Sequence, residues 1–166
     1  MKQRTFEWIE ARLRSKDFGF ITTIDRKGRP HTTGILYAFA SKEHPFAAYI
    51  LTGNEYAKTR HVQENHAVSL AIPFPHHVLR FVPANAIQFK GTAGIVPVDD
   101  PIGRESFQAS KILRMNLESE YEGEMVFLKI TPAKKLFVYG LGYNLFELRK
   151  KHTEGSYKVL VPESRR

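Results

Sequence analysis

Apolar positions in this chain fall mostly into short alternating runs rich in β-branched and aromatic residues, broken by a few stretches with helical spacing. Phe6, Trp8 or Ile9, and Leu13 recur near helical spacing between charged residues, which predicts an N-terminal helix from Thr5 to Leu13. Asp17 to Asp25, DFGFITTID, predicts a strand. Asp25 to Pro30 supplies a glycine suited to positive φ and a closing proline, so it reads as the turn into a second strand, His31 to about Phe39. A looser link, Ser41 to Pro45, leads to a third strand, Phe46 to Thr52; Gly53-Asn54, a helix from about Glu55 to Glu64 and a strand from Ala67 to Ile72 follow. Strands joined by such short connections favour an antiparallel meander.

After Ile72, Pro73, Pro75 and Pro83 bracket FPHHVLRFVPAN, which predicts an ordered loop or edge element because proline disrupts a central strand. Alternation returns from Ala86 to Val96, with Ile87, Phe89 and Gly91 on one side and Gln88, Lys90 and Thr92 on the other. Asp99-Asp100-Pro101 opens a helix running to about Leu117, with Phe107, Ile112, Leu113 and Leu117 as its buried stripe. An acidic loop, Glu118 to Glu124, precedes two strands, Met125 to Ile130 and Lys135 to Tyr139, divided by Thr131-Pro132-Ala133. Asn144 to Lys151 reads as a helical turn, Lys158 to Val161 as a last strand, and Glu163 to Arg166 as frayed. Six or seven sequential strands remove their edges most simply by closing into a barrel, so the expectation is a mainly β single domain over residues 1–166 with flanking helices.

Composition adds limits. The 166 residues are 42% hydrophobic and 25% charged, enough for one self-sufficient core. No apolar run approaches the roughly 20 residues of a membrane span, and KQRTFEWIEARLR has no secretory core, so a soluble, cytoplasmic protein is expected. Without cysteine there is no disulfide framework, thiolate nucleophile or zinc–cysteine site. The net charge of +8 is spread along the chain, which suits weak polyanion binding and equally a bias toward phosphorylated ligands.

The candidate chemistry lies at the third strand's exit. Thr52, Gly53 and Asn54 lead into a helix whose first turn has spare N–H groups, with Lys58 and Arg60 just beyond; free amides and nearby cations attract a phosphate. The same residues also suit a plain helix cap, Asn54, with two solvated charges. His76-His77 are adjacent and lack a carboxylate cluster nearby, so no metal site is expected. His31, His61 or His66 could ligate a haem or simply occupy turns and surface. No Gly-x-Ser-x-Gly elbow occurs, and no residue reads as a proton donor. Tyr143, Phe146 and Tyr157 suit either a ligand cover or ordinary packing.

The strings GFITTIDRKGRPHTTGILYAF, YILTGNEYAKTRHVQENHAVSLAI and IQFKGTAGIV, in that order, resemble the pyridoxamine 5'-phosphate oxidase-like family of FMN-binding split barrels over roughly residues 5 to 140. The resemblance implies a homodimeric, six- to seven-stranded antiparallel split β-barrel with FMN between subunits. Thr33, Gly34 and Ile35 would then line the flavin ring, and Thr52 and Lys58 would contact the phosphate and ribityl chain. Arg60 would be a second cation or hold the helix to the barrel, and Gln88 would reach the flavin from the partner subunit. Departures are visible too. Tyr56-Ala57-Lys58 stands where the oxidase has a small hydroxyl residue, arginine and lysine, and HTTGILYAF lacks the oxidase's flavin-reaching arginine and lysine. The tail offers only Arg149 and His152 as substrate-binding counterparts. These gaps argue against pyridoxamine phosphate as substrate. The implied function is an FMN-dependent oxidoreductase acting on another small molecule. The rivals are non-catalytic binding of flavin, deazaflavin or haem on the same scaffold, and a basic nucleic-acid-associated barrel.

Overall fold

Each alternating run forms a strand that turns its apolar side inward. The computed structural model describes residues 3–75, 85–144 and 155–166. Its strands are β1 (Phe18–Ile24), β2 (Pro30–Leu36), β3 (Ala38–Phe39), β4 (Ala48–Gly53), β5 (Ala67–Phe74), β6 (Asn85–Pro97), β7 (Met125–Tyr139) and β8 (Ser156–Leu160). All join one antiparallel sheet in the order β2-β1-β5-β6-β7-β4-β3, with β8 also paired to β7. The end strands β2 and β3 are separated along the chain by Tyr37 alone, so the sheet must curl until its two ends approach each other. The mainly β, antiparallel barrel architecture is the expected one, and the two-residue β3 brings the strand count to eight.

β7 is the spine. β6 follows one of its edges, while β4 takes Met125 to Ile130 and β8 takes Lys135 to Tyr139 of the other. The two strands expected there are one strand with an irregularity: register passes from Phe89↔Leu136 to Gly91↔Pro132, and Pro132 falls at this bulge, where proline is tolerated. The close approach needs glycine at position 91, since a Cβ there would clash with the Thr131 carbonyl oxygen. Pro73 is likewise inside β5, which runs to Phe74 past its last pair with β1, Phe20↔Ala71, and therefore has one edge open.

Helix α1 (Phe6–Arg14) begins at Thr5, whose hydroxyl accepts from the Trp8 N–H, and it buries Phe6, Ile9 and Leu13 in the barrel core. Helix α2 (Ala57–Glu64) follows β4. The single helix expected from Asp99 to Leu117 is two: α3 (Pro101–Gln108), capped by Asp100, and α4 (Lys111–Glu118), started afresh by Ser110, whose hydroxyl accepts from the Leu113 N–H. The break rotates Ile112 out of the expected stripe to 56% exposure while Phe107 and Leu113 stay buried. Glu163 to Arg166 is not frayed. A 3-10 turn, Glu163–Arg165, holds it; Phe46 N–H donates to the Arg165 carbonyl, and the Arg165 guanidinium reaches Glu10 and the Lys42 carbonyl.

Two apolar clusters result. One fills the barrel around Ile21, Leu70, Phe89, Leu128 and Leu136; the other packs α3 and α4 onto β3, β4 and β7 through Tyr49, Phe107, Leu113 and Phe127. Each large side chain fully buried this way contributes ~1.5–3 kcal/mol of transfer free energy. β4 thus serves both clusters, Ile50 facing the barrel and Tyr49 the helices, and its exit lies at the seam between them. Among the described residues no helix is long and apolar enough to cross a membrane.

Candidate functional site

β4 hands over to α2 through one buried hydrogen bond: the Thr59 hydroxyl donates to the Gly53 carbonyl at 2.8 Å and hooks the helix onto the strand end. Asn54 is not the cap. Its backbone N–H donates to the Glu124 carbonyl at 2.8 Å and its side-chain amide to the Glu124 carboxylate at 2.7 Å, so it ties the strand exit to the start of β7. The N-cap position falls on Tyr56, whose side chain makes no capping bond. The Tyr56 and Thr59 amides donate to the Gly53 and Tyr56 carbonyls, so among the described residues the Ala57 and Lys58 amides are left without an acceptor and open to an anion.

Beside this junction is a cleft of about 210 Å3. β2 contributes Gly34, Ile35 and Leu36; β4 contributes Leu51 and Thr52; the head of α2 contributes Tyr56 and Lys58. Phe107, Asn116, Tyr121 and Met125 close the other side. The Tyr121 hydroxyl donates to Asn116 Oδ1 at 3.2 Å, and Asn116 Nδ2 donates to the Ile112 carbonyl at 2.9 Å, so this wall is internally bonded.

Two polar groups of the cleft lack what burial normally demands. Thr52 is 2% exposed, and its hydroxyl has no hydrogen-bond partner. Lys58 is half-buried; its ammonium stands 4.9 Å over the Tyr56 ring, and no carboxylate pairs with it among the described residues. Loss of surrounding water holds the Lys58 pKa below the ordinary lysine value. Thr33, next to Gly34 on β2, also carries a buried hydroxyl without a partner. Buried polar groups are nearly always bonded; of the five described side chains with a buried, unbonded polar atom, Thr52 alone lines this cleft, where the unpaired Lys58 also lies.

Of the residues singled out from the sequence, Gly34, Ile35, Thr52 and Lys58 meet in this cleft. Ile35 lines it although its side chain, 6% exposed, belongs to the barrel core. Thr33 is adjacent in the strand but outside the lining. Arg60 is exposed, and its guanidinium donates to the Glu55 carbonyl at 3.0 Å, across the start of its own helix. Gln88 lies elsewhere. Gly34, Phe20, Ala71, Gln88, Phe137 and Lys158 form one cross-strand row, which puts β1 and β5 between Gly34 and Gln88. Gln88 donates to Ser69 Oγ at 3.1 Å and borders a second cavity of about 250 Å3 with Phe137 and Lys158.

Tyr56, Phe107, Asn116, Tyr121 and Met125 were not foreseen as cleft residues. Tyr56 had a signal, its place two residues before Lys58; Asn116 and Tyr121 had none, because they reach the cleft only through the α3–α4 fold. The histidines are engaged with protein: His61 Nδ1 is 3.0 Å from Thr23 Oγ1, the His31 and His61 rings meet edge to face, and His66 Nδ1 is 3.2 Å from the Ala93 carbonyl. None lines the cleft among the described residues. Tyr143 and Tyr157 pack on each other, and the Tyr157 hydroxyl donates to the Leu141 carbonyl. His76, His77, Phe146, Arg149 and His152 lie outside the described residues.

The family model described as pyridoxamine 5'-phosphate oxidase matches residues 6–139, and the chain belongs to that family. Solved structures are similar in fold. HutZ, the haem storage protein of Vibrio cholerae, is 17% identical with a TM-score of 0.64, covering 84% of this chain and 98% of its own. A haem binding protein of Mycobacterium smegmatis is 14% identical with a TM-score of 0.67; 96% of this chain matches 60% of that one. A pyridoxamine 5'-phosphate oxidase-related, FMN binding protein of Nostoc punctiforme PCC 73102 is 13% identical with a TM-score of 0.59, covering 96% and 91%. No curated protein matches in sequence.

Proposed function

We propose that this member of the pyridoxamine 5'-phosphate oxidase family is an FMN-binding flavoprotein that acts as a homodimer in the oxidation or reduction of a small molecule. The observation that carries the reading is the unmet polar pair at the strand-to-helix exit. Thr52 offers a buried hydroxyl and Lys58 a half-buried ammonium, and a phosphate accepts from both. Either group left bare costs free energy, which a phosphate would recover on binding.

The residues present fit the rest of the cofactor as well. Gly34 carries no side chain, so backbone of β2 can approach a flat ring and present hydrogen-bonding edges to it. Tyr56, Phe107 and Met125 would keep water from the bound group. FMN, when bound, supplies the electron-transfer chemistry; the chain holds the phosphate, lays the ring along Gly34 and Ile35, and admits the substrate. Gln88 is a partner-subunit contact in this reading, because β1 and β5 separate it from Gly34 within one chain. Arg60 is set aside as a phosphate ligand, since its guanidinium is engaged at Glu55. The missing oxidase cations point to a substrate other than pyridoxamine phosphate.

A haem-binding reading has one observation in its favour: the fold likeness to the two haem proteins, at TM-scores of 0.64 and 0.67, exceeds that to the FMN binding protein at 0.59. Against it, no histidine lines the cleft among the described residues. The absorption spectrum of the untreated protein, with mass analysis of what it releases, separates the readings. A flavin band and FMN are expected; a Soret band and haem would replace this reading with the second. A colourless protein that does not take up added FMN would remove it.

A further inference from the structure

Lys58 is the only cation lining the cleft among the described residues, and it sits on a flexible stem. No carboxylate fixes its position; what does lie against it is the ring of Tyr56, 4.9 Å below the ammonium. Tyr56 is 57% exposed, so it is not there to complete a core. Its ring lies against Gly53, where a Cβ would come within 3.2 Å of it, and so the glycine at the end of β4 leaves the space the ring occupies. Strand end, ring and ammonium thus stack in sequence at the mouth of the cleft.

We propose that Tyr56 is the positioning residue for Lys58, its ring acting as a platform that holds the ammonium toward the cleft so that a single lysine can bind the ligand's phosphate. The inference rests on the reading that Lys58 receives that phosphate. A ring face attracts a cation and strips part of its water, and both effects sharpen the attraction of the ammonium for an anion in the cleft. The depressed pKa of Lys58 agrees with such a partly dried setting. The hydroxyl of Tyr56 makes no hydrogen bond among the described residues and has no part in this role.

The test compares FMN with riboflavin, which lacks the phosphate. The ratio of their affinities reports the phosphate contact alone, whereas a merely structural disturbance lowers both affinities and leaves the ratio unchanged. Lys58→Ala is expected to reduce the ratio by about tenfold or more, the scale of a lost charge-assisted contact. Tyr56→Ala is expected to reduce it by about two- to fivefold, the scale of an exposed cation–π contact, and Tyr56→Phe to leave it at the wild-type value. An unchanged ratio in Lys58→Ala overturns the phosphate reading and this inference together. A reduced ratio in Lys58→Ala with an unchanged one in Tyr56→Ala overturns only the inference, and an equal fall in Tyr56→Phe overturns the role given to the ring.

Discussion

Glu10 and Lys58 are both charged residues drawn out of water, one beneath α1 and the other at the head of α2. Around Glu10 the charges are paired from within the chain, with only the buried Arg165 Nε left without a partner among the described residues. Glu10 is 3% exposed, and one of its oxygens receives Arg14 at 2.7 Å and Arg165 at 3.1 Å. Arg14 continues to the carbonyls of Phe39 and Ala40, and Arg165 to that of Lys42, so α1, the β3–β4 link and the C-terminal turn are tied at one point. Around Lys58 the described residues supply a ring and no counter-charge, and the unpaired Thr52 hydroxyl belongs to a residue of the same cleft. The charge at Glu10 has its counter-charges inside the chain, whereas the charge at Lys58 has none among the described residues, and the proposed phosphate would supply it.

The contrast is broken most forcefully at the clamp. Glu10→Ala leaves two guanidiniums facing each other without their carboxylate, and the expected loss is about 3 kcal/mol of unfolding free energy in urea, with FMN affinity of the folded protein unchanged. A loss below about 1 kcal/mol would reduce the clamp to an ordinary surface pair. At the cleft the signs reverse. Lys58→Ala should weaken FMN binding by about 1–3 kcal/mol, read by titration, while the ligand-free protein keeps its stability. Thr52→Val replaces a hydroxyl that bonds to nothing in the chain by a methyl of similar size, so the ligand-free protein should be equally or more stable, and FMN affinity should fall by about 1 kcal/mol. Arg60→Ala should alter FMN affinity by no more than about 0.5 kcal/mol, since its exposed side chain is bonded to the Glu55 carbonyl and does not line the cleft.

Proton binding sharpens the same comparison. The folded state holds the Lys58 pKa below the ordinary value of 10.5, so the unfolded chain binds more protons, and the ligand-free protein gains stability as pH rises toward 10.5. Anion binding changes the other way, weakening as Lys58 loses its proton. Burial raises the Tyr37 and Tyr49 phenols, the latter to about 12, and these act in the opposite direction, with stability falling once pH passes the ordinary tyrosine value of 10.0. The Lys58 contribution is therefore the part of the pH dependence of urea unfolding below pH 10 that wild type shows and Lys58→Ala lacks, and identical pH profiles would remove Lys58 from the partly dried environment.

How much of this was legible in the sequence depends on the range of the interaction. Strand alternation, the Asp25 to Pro30 turn and the Thr5 cap are local, and each forms as its residues predict; in the turn the Asp25 carboxylate accepts from the Lys27 and Arg29 amides, and Gly28 adopts φ of 75°. Pro73 and Pro132 misled because proline is judged against an ideal strand, and the open edge and the bulge that accommodate them are set by neighbouring strands. The α3–α4 break lay in Ser110, whose capping bond to Leu113 outweighs continuation of the helix. At the site, Thr52 and Lys58 could be read from the strand-to-helix junction, and Gly34 and Ile35 through the resemblance; all four line one cleft. The alternative reading of Asn54 as a plain cap does not hold, because its partner, Glu124, is distant in the chain. Nothing local marks Asn116 or Tyr121, and the Arg165 tether to Glu10 joins the two ends of the chain.

Thr52 and Lys58 are expected to burden the empty protein and to favour the bound one. Thermal unfolding of wild type and of the Thr52→Val, Lys58→Ala double variant, each with and without FMN, tests it directly. FMN should raise the Tm of the wild type and not of the double variant, and the ligand-free double variant should melt no lower than the ligand-free wild type. A double variant that melts lower on its own yet keeps the full FMN-induced rise would contradict it.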